Sequence, residues 1–109
     1  MKETIIRASG QENVNLIYSS MILGMIDLIE DGKISFDDAN MTLFLPLALR
    51  ETNFSDGMKR AIGLCTELEA ISEVVPKSYG ETVQEIRELC RKEVETYVRK
   101  GEIRYTVIE

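Results

Sequence analysis

The densest hydrophobic pattern in the chain runs from Val14 to Gly32, where apolar residues fall on nearly every face of a helical projection. A helix with so little side to give to water is expected at the centre of a domain, with other elements packed around it. Asn13 precedes it as a candidate N-cap, because its side chain can accept a bond from a free amide of the first turn. Gly24 lies in mid-helix, where glycine costs about 1 kcal/mol relative to alanine, and predicts the close approach of another helix. Gly32 suits the end of the helix, since glycine tolerates positive φ.

The pattern then breaks into shorter stretches. Ser35 is placed to cap a second helix, with Asp38 near its positive end. Phe36, Ala39, Leu43 and Phe44 recur at helical spacing, Pro46 limits the helix, and Leu47 to Leu49 can add a further turn. The short Lys33-Ile34 link predicts a helical hairpin. After a loop at Glu51 to Phe54, Ser55-Asp56 starts a third helix that the pattern ends near Ile62, with Gly63 as the break. Thr66-Glu67-Leu68-Glu69 reads as a capping box opening a short helix, with Leu68, Ile71 and Val74 or Val75 inward and Pro76 as the stop. Ser78-Tyr79-Gly80-Glu81 reads as a second box. A long helix follows over residues 79–100, about 33 Å at the standard rise. Its apolar stripe is Val83, Ile86, Cys90, Val94 and Tyr97. Its outer face alternates in sign through Glu88, Lys92, Glu95 and Arg99, as solvated helix faces do. Residues 102–109 alternate at period two and predict a strand. Its backbone needs a partner, either residues 3–8 or a strand from another protein. The fold class expected is mainly α: one helical domain over residues 1–109, bundled around the central apolar helix, with a short C-terminal strand.

Composition narrows the function. The 109 residues suit one core, and the 44% hydrophobic fraction suits a folded domain. Nineteen acidic residues against 13 basic ones give a net charge of −6. That charge repels a phosphate backbone and favours a basic protein surface. The late cations Arg87, Arg91, Lys92, Arg99, Lys100 and Arg104 are interleaved with Glu88, Glu93, Glu95 and Glu102, so a solvated face is preferred to a nucleic-acid site. Cys65 and Cys90 fall among apolar helical positions and read as buried free thiols of a reducing compartment. The N-terminus has no apolar run long enough for a signal peptide. The Val14–Ile29 stretch is too short and too interrupted for a membrane span. The expected setting is the cytoplasm.

Candidate chemistry is sparse. Asp27 to Asp38 resembles an EF-hand calcium loop, with Asp27, Asp31, Gly32 and Ile34 at ligand positions 1 and 5, the turn glycine and the aliphatic position. Ile29 offers no oxygen at position 3, and Asp38 is a methylene short at position 12. A capped helix end followed by a capped helix start explains Gly32 and Ser35 without metal. The chain has no histidine, which removes the commonest general base and excludes Ser-His and Cys-His nucleophiles. Gly57 and Gly63 lack the spacing and lysine of a phosphate loop. No catalytic, cofactor-binding or metal-binding residue is assigned, and a non-enzymatic role is expected. The acidic groups Asp37, Asp38, Glu67, Glu69 and Glu73 read individually as helix-start residues. Together they predict a negative partner-binding face at the N-terminal ends of two helices.

Two segments carry a family resemblance. Leu23 to Ser35, with Ala39 and Phe44, is one; Gly63 to Ile71, ending at Pro76, is the other. Together they resemble a family of small acidic helical bacterial proteins that carries a Gly-Thr-Glu-Leu-Glu-Asp-Ile pattern before a proline. Here Cys65 stands for the glycine and Ala70 for the aspartate. The resemblance implies a helical fold and a role as an immunity protein in toxin systems such as contact-dependent growth inhibition, with no catalytic residue to carry over. The leading expectation is an immunity protein that binds a cognate toxin, a basic nuclease domain, with no direct contact to nucleic acid or membrane. The alternative is a homo-oligomeric adaptor, a homodimer paired through the C-terminal strand.

Overall fold

The structure, a computed structural model, describes residues 10–42 and 54–98. Among them the regular structure is helical throughout. Helix α1 spans Gln11–Glu30, α2 spans Phe36–Thr42, α3 spans Asp56–Val74 and α4 spans Tyr79–Tyr97. A single 3-10 turn, Pro76–Ser78, joins α3 to α4. The strands expected at residues 3–8 and 102–109 lie outside the described residues, as do Leu43, Phe44 and the turn at 47–49.

The central element is α4, not α1. α4 packs along both α1 and α3. It runs antiparallel to α1, with Arg87 reaching Asp27 and Tyr97 near Glu12. It also runs antiparallel to α3, with Glu85 on Arg60 and Glu93 beside Gly57. Three consecutive α4 residues make the layering plain. Glu85 turns to α3, Arg87 turns to α1, and Ile86 between them is fully buried. The stripe expected on α4 is present, with Val83, Ile86 and Cys90 at its buried centre.

α1 buries only one side. Leu16, Ile22 and Ile26 enter the core with Asn15 and Ser19, whereas Met21, Gly24 and Leu28 are exposed. Two polar residues are tolerated inside because their groups are bonded: the Ser19 hydroxyl donates to Asn15 O at 2.6 Å, and Asn15 Nδ2 donates to Gln11 O at 2.6 Å. The close approach expected at Gly24 is absent among the described residues, since a Cβ there would meet none of them within 4 Å. Nor is Asn13 the N-cap: the helix begins at Gln11, with Gly10 at φ 85° in that position.

The end of α1 follows the sequence reading. Gly32 has φ 71°, its amide donates to Ile29 O at 3.0 Å, and the Lys33 amide donates to Leu28 O at 2.9 Å. That is a Schellman-type close, which needs a residue free to adopt positive φ. Ser35 then caps α2, its hydroxyl oxygen accepting from the Asp38 amide at 3.1 Å. Phe36 meets Tyr79 edge-on with ring centroids 6.2 Å apart, which fixes the start of α2 beside the start of α4.

α3 corrects three expectations. It does not break at Gly63, because the apolar stripe of Met58, Ala61, Ile62, Cys65 and Leu68 continues through it and is fully or almost fully buried. Burial of several large side chains, each worth about 1.5–3 kcal/mol, outweighs one glycine. Thr66 is therefore no cap: its hydroxyl donates back to Gly63 O at 2.7 Å inside a continuous helix. Val74 and Val75 point outward, Val74 at 78% exposure. The second box fails as well. Ser78 belongs to the 3-10 turn and makes no side-chain cap. The start of α3 is where the sequence places it: Ser55 caps the helix, its oxygen accepting from the Met58 amide at 3.1 Å.

Candidate acidic interface

α1 and α3 finish at the end of the bundle where α2 and α4 begin. The Phe36–Tyr79 contact and the short Pro76–Ser78 link hold these four termini together. Exposed carboxylates collect there: Glu30 and Asp31 at the close of α1, Asp37 and Asp38 in the first turn of α2, Glu73 in the last turn of α3, and Glu81 in the first turn of α4. Among the described residues Lys33 and Lys77 are the cations interspersed with them, and Arg87 sits nearby on Asp27 at 2.6 Å.

Helix electrostatics divides these groups. Asp37, Asp38 and Glu81 lie at positive helix ends, where a carboxylate is favoured. Glu30, Asp31 and Glu73 lie at negative ends, and neither α1 nor α3 has a basic residue in its last turn. Their placement brings no benefit to the helices that carry them. The Tyr79 phenol registers the field: burial raises its pKa, Glu30 adds to the rise, and Arg87 opposes it.

The predicted face is therefore partly assembled. Asp37, Asp38 and Glu73 share this end. Glu69, half-buried, lies one turn further along α3 on the Glu73 side. Glu67 stands about 200° around the helix from Glu69 and lines a shallow groove with Arg60, Gly63 and Leu64. None of the three α3 acids marks a helix start, because α3 began at Asp56. Glu30, Asp31 and Glu81 were missed. The readable signal was two acids closing a helix that has no compensating base.

The calcium-loop residues are otherwise engaged. Asp27 is ion-paired to Arg87, and the Gly32 turn is explained by its backbone bonds. Among the described residues no group of three or more acidic, cysteine or histidine side chains is arranged to hold a metal, and no helix is long and apolar enough to cross a membrane. Cys65 and Cys90 are buried and free. Burial pushes both thiols up, Cys90 to about 12, with Cys90 adding to the rise at Cys65 and Glu93 to that at Cys90. Neither is a thiolate near neutral pH, so neither is an activated nucleophile.

Asn15 was also missed as an organising residue. Its Oδ1 accepts from the Ser55 amide at 2.9 Å, across 40 positions of sequence. This bond ties α1 to the cap of α3, and the adjacent Tyr18–Phe54 ring contact at 4.8 Å reinforces it.

No curated protein and no solved structure matches the chain. Residues 9–108 match the family described as Protein of unknown function (DUF3969). The match spans nearly the whole sequence, both ion pairs and every described helix, and the chain belongs to that family.

Proposed function

We propose that this protein is a cytoplasmic, non-enzymatic binding protein of the immunity type. It neutralises a cognate toxin domain, a basic nuclease, by covering the surface that the toxin offers to nucleic acid. The observation that carries the reading is the collection of exposed carboxylates at one end of the bundle, some of them at helix ends that disfavour negative charge. A surface built to hold phosphates is drawn to such an end, and long-range attraction speeds association. The family resemblance of the Leu23–Ser35 and Gly63–Pro76 segments supports the same role. The contact residues proposed are Asp37, Asp38 and Glu73, with Glu69 at the margin. Glu67 belongs to a different face.

The test is co-expression with the product of the adjacent upstream reading frame. Rescue of growth and co-purification are expected. The combined variant Asp37→Lys, Asp38→Lys and Glu73→Lys is expected to slow association about tenfold or more at low salt while keeping the helical spectrum of the parent. Full neutralisation by that variant removes the acidic end as the interface. Absence of rescue and of co-purification removes the immunity role. The second reading is a homo-oligomeric adaptor. The C-terminal strand expected to pair its copies lies outside the described residues. The observation that favours self-association is the groove on α3 with Arg60 at one end and Glu67 at the other.

A further inference from the structure

Arg60, Gly63, Leu64 and Glu67 lie at i, i+3, i+4 and i+7 of α3 and so share one face. They line an open groove of about 340 Å³. Gly63 forms a notch in it: a Cβ there would meet nothing among the described residues within 4 Å, and its φ is not positive. Among the described residues neither close approach nor backbone strain requires glycine at this position, where it costs about 1 kcal/mol relative to alanine. The ends of the groove carry opposite charges about 10.5 Å apart along the helix.

We propose that this face of α3 is the two-fold interface of a homodimer, with the α3 helices of two copies antiparallel across it. An axis passing between Gly63 and Leu64 sets Arg60 against Glu67 of the partner subunit, and Leu64 over Gly63 of the partner subunit. Symmetry repeats both contacts, as an isologous interface demands. A parallel pairing would set Arg60 against its own copy, so charge selects the antiparallel one. Any other partner would have to supply an acid and a base at matching spacing and in reverse order; a second copy does so automatically. Glu85 orients the guanidinium from within the chain, accepting from Arg60 Nε at 2.7 Å and pairing with Nη2 as well, which leaves Nη1 of the planar fork for a second carboxylate. One helix face offers less than the roughly 800 Å² per partner of a standard interface. The dimer is accordingly expected to be weak and concentration-dependent. The inference does not rest on the toxin-binding reading.

Sedimentation equilibrium from about 10 μM to about 1 mM tests it on the full chain. The parent is expected to pass from monomer to dimer across that range. Arg60→Glu gives a face with two acids, and Glu67→Arg gives one with two bases. Each alone is expected to dimerise at least tenfold more weakly, while an equimolar mixture forms a heterodimer at least as tight as the parent dimer. Circular dichroism of each variant confirms that it is folded before mixing. Gly63→Leu fills the notch and is expected to abolish association while retaining the parent's helical spectrum. A parent that stays monomeric through the range overturns the proposal. So do single variants that self-associate like the parent, or a mixture that forms no heterodimer.

Discussion

Gly24 lies within α1 and Gly32 eight positions on, just past its C-terminus, and the structure predicts opposite responses to the same substitution. Gly24 is exposed, has no positive φ, and leaves open space where a Cβ would stand. Alanine there loses no contact and gains the difference in helix propensity, about 0.8–1.0 kcal/mol. Much of that gain is conformational freedom removed from the unfolded chain. Gly32 also has open space around it but sits at φ 71°. Alanine must either adopt that left-handed conformation, at about 1–2 kcal/mol, or give up the bonds that close α1. The unfolded-state gain offsets part of this, leaving a net loss of about 1 kcal/mol. The two variants are thus expected to differ by about 2 kcal/mol, with Gly24→Ala above the parent and Gly32→Ala below it. Urea unfolding followed by far-ultraviolet circular dichroism measures both, and an unchanged slope certifies that midpoints report stability. In a thermal scan each step of about 1 kcal/mol moves Tm by about 4 °C or more. Destabilisation by Gly24→Ala refutes the reasoning, since it means that another element covers that face of α1.

Three further expectations follow from the buried interior. Asn15→Ala leaves the Ser55 amide without its acceptor and should destabilise by about 1–3 kcal/mol, read as a lower urea midpoint and as lost hydrogen-exchange protection at Ser55. Leu68→Ala opens a cavity at a fully buried site and should lower urea stability by about 2–5 kcal/mol. The raised thiol pKa values have a defined sign: the unfolded chain releases these protons from about pH 8.5, while the folded chain holds them to higher pH. The stability they contribute is complete below about pH 8.5 and falls as pH rises towards about 12, by up to about 1.4 kcal/mol per thiol per pH unit. Urea midpoints at pH 7.5 and 9.5 should show the decline, and Cys90→Ala should flatten it.

Local features were the most legible part of the sequence. The Gly32 turn, the Ser35 cap and the α4 stripe are each set by a few neighbouring residues whose requirements do not depend on the rest of the fold. The layer order was not legible. Composition made α1 look central because Met21, Gly24 and Leu28 are uncharged, yet uncharged residues can face water, and single exposed apolar side chains are common on protein surfaces. α4 has a narrower stripe and a charged exterior, but it is held from both sides by flanking ion pairs as well as by its core. Gly63 and Thr66 misled for a related reason. Both favour a break locally, and burial on either side outweighed them. The acidic end of the bundle was half visible: Asp37 and Asp38 announce themselves by their cap and Glu73 was expected with them, whereas Glu30, Asp31 and Glu81 join them only once the bundle has formed.

The short Pro76–Ser78 link has a kinetic consequence. It lets α3 and α4 meet with almost no loop to close, whereas α1 reaches them through contacts 40 and 60 residues distant, at Ser55 and Arg87. Local contacts form ahead of distant ones because less chain entropy must be surrendered first. The α3–α4 hairpin is therefore the expected folding nucleus, with α1 docking onto it late. Mutations in the hairpin should slow folding, whereas those on the inner face of α1 should chiefly hasten unfolding.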